Sequence, residues 1–509
     1  MEPKYAQNNI FSPAISLQEQ LHMDVFTKNA AVYDPVVCRN AQEAILALET
    51  LYTDSVQDLR NAVGSPSTLQ DLKLQFKGTY PYLGIWGSGA EHICEALRSW
   101  AILREDGYYG TTVTHPDLFK EYWGQQLSHL FSVHELCCVV GRSSRFIPIY
   151  FLKEDVLSHA KDISEIKGML TMPSPKDMDD QVANGTVAWD QLMIKPLSYF
   201  SAERTDYSLT RIQHYCGTHA SSFQNFILLT NYQRYIDLFF YYAKQRLSEE
   251  DSSYTHWVEP KDTELLAQDM ELSKTREAGH HFQMPAYHLA RADRNGISLV
   301  NIGVGPSNAK NMTDHLAVLR PHCWIMLGHC AGLRQSQRLG DYVLAHGYMR
   351  DDHVLDEGLS PNIPLPPVEA VQKALRDSIQ EVCQLDDATM TRRVRCGTIV
   401  STGDRNWELD VVNRSKTFRQ CRAIALDMES GIVAANGFRF RVPYGTLLCV
   451  SDRPLHGELK LHSMAQTFYE QRVKEHLTIG IHALEVLREL GPDQLHTPEL
   501  RGFQDVLFR

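Results

Sequence analysis

The chain has no C-x-x-C pair. Its eleven cysteines are irregularly spaced, and two of them, Cys137 and Cys138, are adjacent. That pattern gives no zinc signature and argues for reduced thiols in a cytoplasmic setting. No apolar run approaches the ~20 residues that a membrane span needs. The first residues, Met1 to Asn9, lack the basic-then-apolar order of a secretory signal. Positive charge is also short, with 50 Lys and Arg against 62 Asp and Glu, a net charge of −12. Binding a nucleic-acid backbone needs a basic surface, which argues against nucleic acid as a main partner. A small phosphorylated substrate, needing only a few local cations, stays open. There is no internal repeat, no Walker loop and no complete G-x-G-x-x-G.

What remains is a soluble globular composition, 43% hydrophobic and 22% charged over 509 residues, long enough for two or more domains. Residues 1–40 mix Pro, Asn and Ser with scattered apolars and read as a partly disordered arm. Residues 41–190 read as a smaller α+β domain. It opens on a helix with Ile45, Leu48, Leu51, Val56 and Leu59 at three- and four-residue steps and carries strand-like runs at 111–114 and 146–152. Residues 191–509 read as the larger domain. Tyr232 to Arg246 is an aromatic-rich helix, and the polar stretch 252–280 reads as a mobile insertion. From Ile297 strands and helices alternate, as in a largely parallel or mixed sheet covered on both faces.

Several strand ends carry residues suited to chemistry. Gly303-Val304-Gly305-Pro306-Ser307-Asn308-Ala309-Lys310 joins a strand to a helix. Its glycines let the backbone approach a ligand, the helix start offers N–H groups to an anion, and Lys310 adds a charge. Taken alone it is an ordinary capped turn. Gly328-His329-Cys330-Ala331-Gly332-Leu333-Arg334 reads as a second such junction. Together the two favour a phosphate site with Arg334 as a bidentate fork, over the alternative in which Gly328 and Gly332 only allow close packing, Arg334 makes a surface ion pair and His329 is a hydrogen-bonded core histidine.

Leu426-Asp427-Met428-Glu429-Ser430 puts an acidic pair where strand gives way to helix. A carboxylate such as Glu429 accepts hydrogen bonds from two vicinal hydroxyls, as a ribose offers, and Met428 is a soft apolar wall. A first-turn Glu favoured by the helix dipole explains Glu429 equally well. Asp452 ends the hydrophobic strand Thr446 to Val450, at the mouth where open α/β sheets bind ligands. Raising an Asp from about 3.9 to about 7, so that it keeps a proton for a departing purine, takes roughly 4 kcal/mol of environment penalty. Asp-Arg-Pro is also good turn sequence, and spacing does not choose. In Thr230-Asn231-Tyr232-Gln233-Arg234-Tyr235 the Arg and tyrosines suit a phosphate or base, although a helix core face suits the tyrosines slightly better. Trp407 is a candidate for stacking on a base, against the usual structural role of tryptophan.

In order along the chain, these segments resemble the AMP nucleosidase family. The likeness is closest from about Asp206 onward, through 301–310, 314–321, 328–334, 340–346, 350–356, 404–409 and 440–452. It weakens over 41–200, although Tyr109 to Pro116 is still similar, and does not cover the first forty residues. It implies hydrolysis of AMP to adenine and ribose 5-phosphate. It also implies a three-layer αβα, nucleoside-phosphorylase-like catalytic domain behind a smaller α+β regulatory domain, and a homohexamer. Mg-ATP is then the allosteric activator, phosphate an inhibitor, and no metal or cofactor enters the chemistry. Carried over by position, Asp452 is the purine-protonating acid, and Met428 and Glu429 contact the ribose. Asn308, Lys310, Gly328, His329 and Arg334 line the anion-binding walls, and Ser451 and Trp407 complete the substrate-binding set. The family pattern has Gly where this chain has Ala331, so a methyl group there stands to reshape a backbone contact with phosphate. Two rivals share the motifs: a phosphate-dependent phosphorylase, and a non-catalytic adenylate sensor with no use for a protonating acid.

Overall fold

A computed structural model describes residues 15–64, 78–89, 99–152, 174–275, 281–458, 466–502 and 504–509. They form two compact units, one of Met1–Val182, Thr186–Asp206 and Gln504–Arg509, the other of Ala183–Gly185 and Tyr207–Phe503.

In the first unit a five-stranded sheet has the order β1-β4-β2-β3-β5. Its strands are β1 Tyr33–Cys38, β2 Thr79–Gly87, β3 Gly107–Thr112, β4 Leu136–Phe146 and β5 Ile194–Pro196. All neighbours are antiparallel except β3 and β5. The helix Leu17–Ala30 starts with a capping box between Ser16 and Glu19, which satisfies two helix-end donors reciprocally. Its Met23 and Phe26 pack with Tyr82 and Val139 of the sheet. Within the arm expected to be partly disordered over 1–40, residues 17–30 form a helix and residues 33–38 an edge strand; residues 1–14 lie outside the described residues. The strand expected over 146–152 ends at Phe146, and Ile149–Leu152 is a 3-10 turn.

The second unit is built on ten strands in the order β14-β13-β12-β15-β11-β6-β10-β9-β7-β8. They are β6 Phe226–Thr230, β7 His256–Glu259, β8 Thr263–Leu265, β9 Ala286–Ala290, β10 Ile297–Asn301, β11 Cys323–Gly332, β12 Tyr342–Asp351, β13 Val394–Thr402, β14 Ala425–Asp427 and β15 Tyr444–Asp452. The polar stretch expected to be a mobile insertion supplies β7 and β8; at the sheet's edge one side of a strand stays solvated, so polar residues are tolerated. Its residues 276–280 lie outside the described ones.

Helices cover both faces of this sheet. Tyr444 packs against Gly437 of the helix Ser430–Phe440, while the next residue, Gly445, meets Val371 of the helix Glu369–Val382. Successive strand residues point to opposite faces, so the two helices lie on opposite sides. The same alternation holds in β11. Trp324 Nε1 donates to Val433 O, 3.2 Å, whereas Leu327 meets Gly480 of the helix Gln466–Leu490.

The long strand β11 determines the shape at the site. Cys323 to Met326 pair with β6, Trp324 to Ala331 pair with β15, and Ala331 and Gly332 pair with β14. Because β14 also pairs with β13, the strands β11, β15, β12, β13 and β14 close into a ring, which removes their free edges. Gly328 to Gly332 are therefore the second half of a strand, not the strand–helix junction expected. Small residues suit it for packing: a Cβ at Gly332 would lie 2.9 Å from Val450 Cγ1.

A Cβ at Gly437 would lie 2.4 Å from Tyr444 Cδ1, and the Tyr444 ring is held by its hydroxyl donating to Pro366 O at 2.6 Å. Gly437→Ala is expected to cost about 1–3 kcal/mol through overpacking, despite the better helix propensity of Ala. A lowered thermal midpoint by circular dichroism is the check; an unchanged or raised midpoint would show that the ring yields.

Candidate active site

Three strand ends meet at one carboxylate. After β10 the chain turns through Gly303 (φ +69°) and Gly305 (φ +115°), a region closed to most side chains, and Pro306 opens the helix Pro306–Leu316. This turn aims the Gly305 N–H at Glu429 Oε1, 2.6 Å away. Asn231, just past β6, donates Nδ2 to Glu429 Oε2 at 3.2 Å. Glu429 itself stands between β14 and the helix Ser430–Phe440. β6 and β10 are parallel neighbours with Thr230 opposite Asn301, so both donors leave the same edge of the sheet.

Glu429 is buried, and its carboxyl is pushed up to about 8, first by burial and then by the charge of Asp427; the bonds from Gly305 and Asn231 oppose the shift. Burial also raises Asp427, against the pull of its hydrogen bonds. Ser401 Oγ donates to Asp427 Oδ1 at 2.6 Å, Ser430 N donates to Oδ2 at 2.9 Å, and the Ser430 hydroxyl donates to the same oxygen. Asp427 collects three donors and Glu429 two, so hydrogen bonding favours the charged form more strongly at Asp427. Ser401 Oγ in turn accepts from Gly431 N at 2.7 Å. The network thus pins the end of β13 to the start of the helix behind Glu429.

Asp452 ends β15 opposite Ala331, just after an irregularity in register between Cys330 and Ala331. It is half-buried. Ser451 Oγ donates to Asp452 Oδ1 at 2.5 Å and lies 3.3 Å from Cys330 O. Tyr232 feels the charge of both acids. Its hydroxyl is pushed up to about 12, chiefly by burial, and then by the charges of Glu429 and Asp452. His329 stands edge-on to the Tyr232 ring, 4.9 Å between centroids. Met428 is half-buried beside Glu429. The arrangement offers a hydroxyl-accepting carboxylate, a second carboxyl at a strand mouth, and aromatic walls.

Other expected site residues are engaged elsewhere. Lys310 Nζ pairs with Asp314 Oδ2 at 2.5 Å, one turn on in its own helix. Arg334 Nη2 donates to Arg422 O at 2.7 Å. Asn308 Nδ2 donates to Val304 O at 3.2 Å, closing the Gly-rich turn. A Cβ at Gly328 would lie 3.2 Å from Met326 Cε and 3.9 Å from Asn231 Oδ1. Trp407 is only 4% exposed, in a cluster with Leu333, Val400, Phe418 and Leu426, and its ring meets Phe418 edge-on. That burial leaves no open face for a base and corrects the stacking expectation. Ala331 is buried in the same cluster, so its methyl group is directed at packing. Reading by residue type missed Asn231 as the partner of Glu429 and gave Asp427 no role. The signal for Asn231 was its place one residue after a strand in the same sheet.

Residues 43–192 match the family model described as Bacterial AMP nucleoside phosphorylase N-terminus, and residues 260–485 match the Phosphorylase superfamily. The chain is 43% identical over 481 residues to AMP nucleosidase of Escherichia coli (strain K12), covering 92% of this chain and 98% of that one. The protein of the same name from Escherichia coli O157:H7 gives the same figures. Among solved structures, AMP nucleosidase from Bacteroides thetaiotaomicron is similar at 25% identity, covering 56% of this chain and 98% of that chain, with a TM-score of 0.42. The purine nucleoside phosphorylase from Toxoplasma gondii, in complex with immucillin-H, is similar at 13% identity over 55% of this chain and 98% of that one, with a TM-score of 0.41. The match to the Escherichia coli enzymes spans nearly the whole of both chains, and this chain belongs to the AMP nucleosidase family, an enzyme family with a phosphorylase-superfamily fold behind a distinct N-terminal domain.

Proposed function

We propose that this enzyme hydrolyses the N-glycosidic bond of AMP, giving adenine and ribose 5-phosphate. The observation that carries the reading is the buried Glu429, clasped by Gly305 and Asn231, with Asp452 at the end of β15, a strand parallel to β11 and so to β6, which leads to Asn231. In this reading the ribose hydroxyls donate to Glu429 beside Met428. Asp452, steadied by Ser451, carries the proton that passes to N7 of adenine as the bond to C1′ stretches. The sugar gains oxocarbenium character, the electron pair of the broken bond leaves with the purine, and water attacks C1′ and releases a proton to solvent. General acid catalysis of this kind contributes ~10²–10⁴ in rate, and Asp452, left ionised once its proton has passed, adds electrostatic stabilisation of the cationic sugar. The chemistry as written uses no metal or cofactor.

Activation by Mg-ATP, inhibition by phosphate and a homohexameric assembly rest on the family resemblance. A cytoplasmic setting is supported by the ten free cysteines among the described residues, a state that a reducing compartment maintains. No helix among the described residues is long and apolar enough to cross a membrane.

Asp452→Asn is expected to lower adenine release from AMP by about 10²–10⁴, while AMP affinity by calorimetry stays within a few-fold. Near-normal release with intact binding would remove Asp452 from the role. The proton on Glu429 has its own signature. In the unfolded chain this residue ionises near its ordinary value, ~4.3, while in the fold it holds its proton up to about 8. Between those pH values the native state binds the extra proton, so raising the pH favours unfolding. Relative to Glu429→Gln, the thermal midpoint of the unaltered enzyme should fall from pH 5 to pH 8. Parallel profiles for the two proteins would refute the shift.

A further inference from the structure

The segment Gln504–Arg509 belongs to the first unit, where it is held much as a receptor holds a peptide. Val506, Leu507 and Phe508 are buried. The peptide group between Leu507 and Phe508 is gripped from both sides. Ala101 N donates to Leu507 O at 2.7 Å, and Phe508 N donates to Leu197 O at 3.0 Å. The C=O and N–H of a trans peptide point opposite ways, so the segment runs between those two neighbours.

The helix Lys120–Val133 supplies a third wall. Tyr122 and Gln126 lie one turn apart on its buried face. The Tyr122 hydroxyl donates to Arg509 O at 2.7 Å, and Arg509 N donates to Gln126 Oε1 at 3.0 Å. Trp123 meets the Phe508 ring edge-on, 5.9 Å between centroids. The Tyr199 hydroxyl donates to Asp505 Oδ1. Main-chain bonds with side-chain pockets beside them are how grooves recognise extended peptides.

Two further observations set this groove apart from settled core. Trp123 Nε1 and Gln126 Nε2 are buried, and among the described residues neither has a hydrogen-bond partner; such groups are uncommon in native interiors. Ala101, which donates to Leu507, has φ +53°. A residue with a Cβ keeps that conformation only where its surroundings enforce it. Strain and unmet donors thus gather where the segment docks.

We propose that Ala101, Leu197, Tyr199 and the helix face from Tyr122 to Gln126 form a peptide-recognition groove, with segment 504–509 as its exchangeable resident. The groove then also takes a separate peptide of the same character: an acidic residue, three apolar residues and a basic one. A tethered ligand competes at an effective concentration of up to ~mM, so the resident keeps a free peptide out until it is displaced. This inference is independent of the hydrolase reading.

The test uses the unaltered chain, a chain lacking residues 504–509, and the Phe508→Ala chain. The probe is a fluorescently labelled synthetic peptide, Gln-Asp-Val-Leu-Phe-Arg, followed by anisotropy. Both altered chains should bind it saturably, and the unaltered chain at least about tenfold more weakly. A peptide with Ala in place of Phe should lose about tenfold or more in affinity for the shortened chain. The shortened chain should melt at a lower temperature, and added peptide should raise its midpoint. A shortened chain that does not fold alone should regain its circular dichroism signal with the peptide. Failure of both altered chains to bind would overturn the proposal. So would equal binding by the unaltered and shortened chains, equal binding of the two peptides, or a peptide that leaves the shortened chain's stability unmoved.

Discussion

A carboxylate buried between a backbone N–H and a side-chain amide is the constraint around which the second unit is arranged. Glu429 is held by Gly305 from one strand end and by Asn231 from the next. Burial disfavours its charged form, and the nearby Asp427 adds to the effect. A fold gains nothing in stability from such a group. Strong perturbation by burial together with a specific charged neighbour, at the end of several strands, is what a functional site looks like physically. A ligand that donates two hydroxyls to this carboxyl would offset the cost of burying it.

Holding that carboxyl in place requires several local features to agree. Gly305 has φ +115°, which a residue with a Cβ rarely adopts, so the N–H reaches Glu429 only from a glycine. Asp427 must be anchored from both sides, and Ser401 at the end of β13 and Ser430 at the helix start do this. The three-residue β14 could not hold such a position as a free edge. It pairs with both β11 and β13, and the closed ring of strands carries it over the mouth of the sheet.

The parts of this fold legible in the sequence are those where one residue type permits only one geometry. The turn from Gly303 to Pro306 is readable because positive φ wants glycine and a helix start tolerates proline. Asp452 is singled out only by the family resemblance, since Asp-Arg-Pro makes an equally good turn. Gly328 to Gly332 misled because small residues serve loops and tightly packed strands alike, and only the pairing with β15 and β14 decides between them. The polar run around His256 to Leu265 misled because edge strands have a solvated side. The start of the helix Leu17–Ala30 did carry a signal, Ser16 followed three residues later by Glu19, which composition alone obscured. Lys310 and Trp407 show a further limit: residue type names a capability, whereas Asp314 and Phe418 decide how it is used.

The Ala331 departure joins the wall of the pocket to the loop that bears Arg405. Its side chain shares a hydrophobic cluster with Trp407, Phe418 and Leu426, and it stands in register with Asp452 on β15. A methyl group here joins the packing of the cluster that contains Trp407, the residue that ends the loop bearing Arg405. Cores respond to changes of even one methyl group. The methyl group therefore bears on packing within this cluster, at a residue of β11 that pairs with the Asp452 strand.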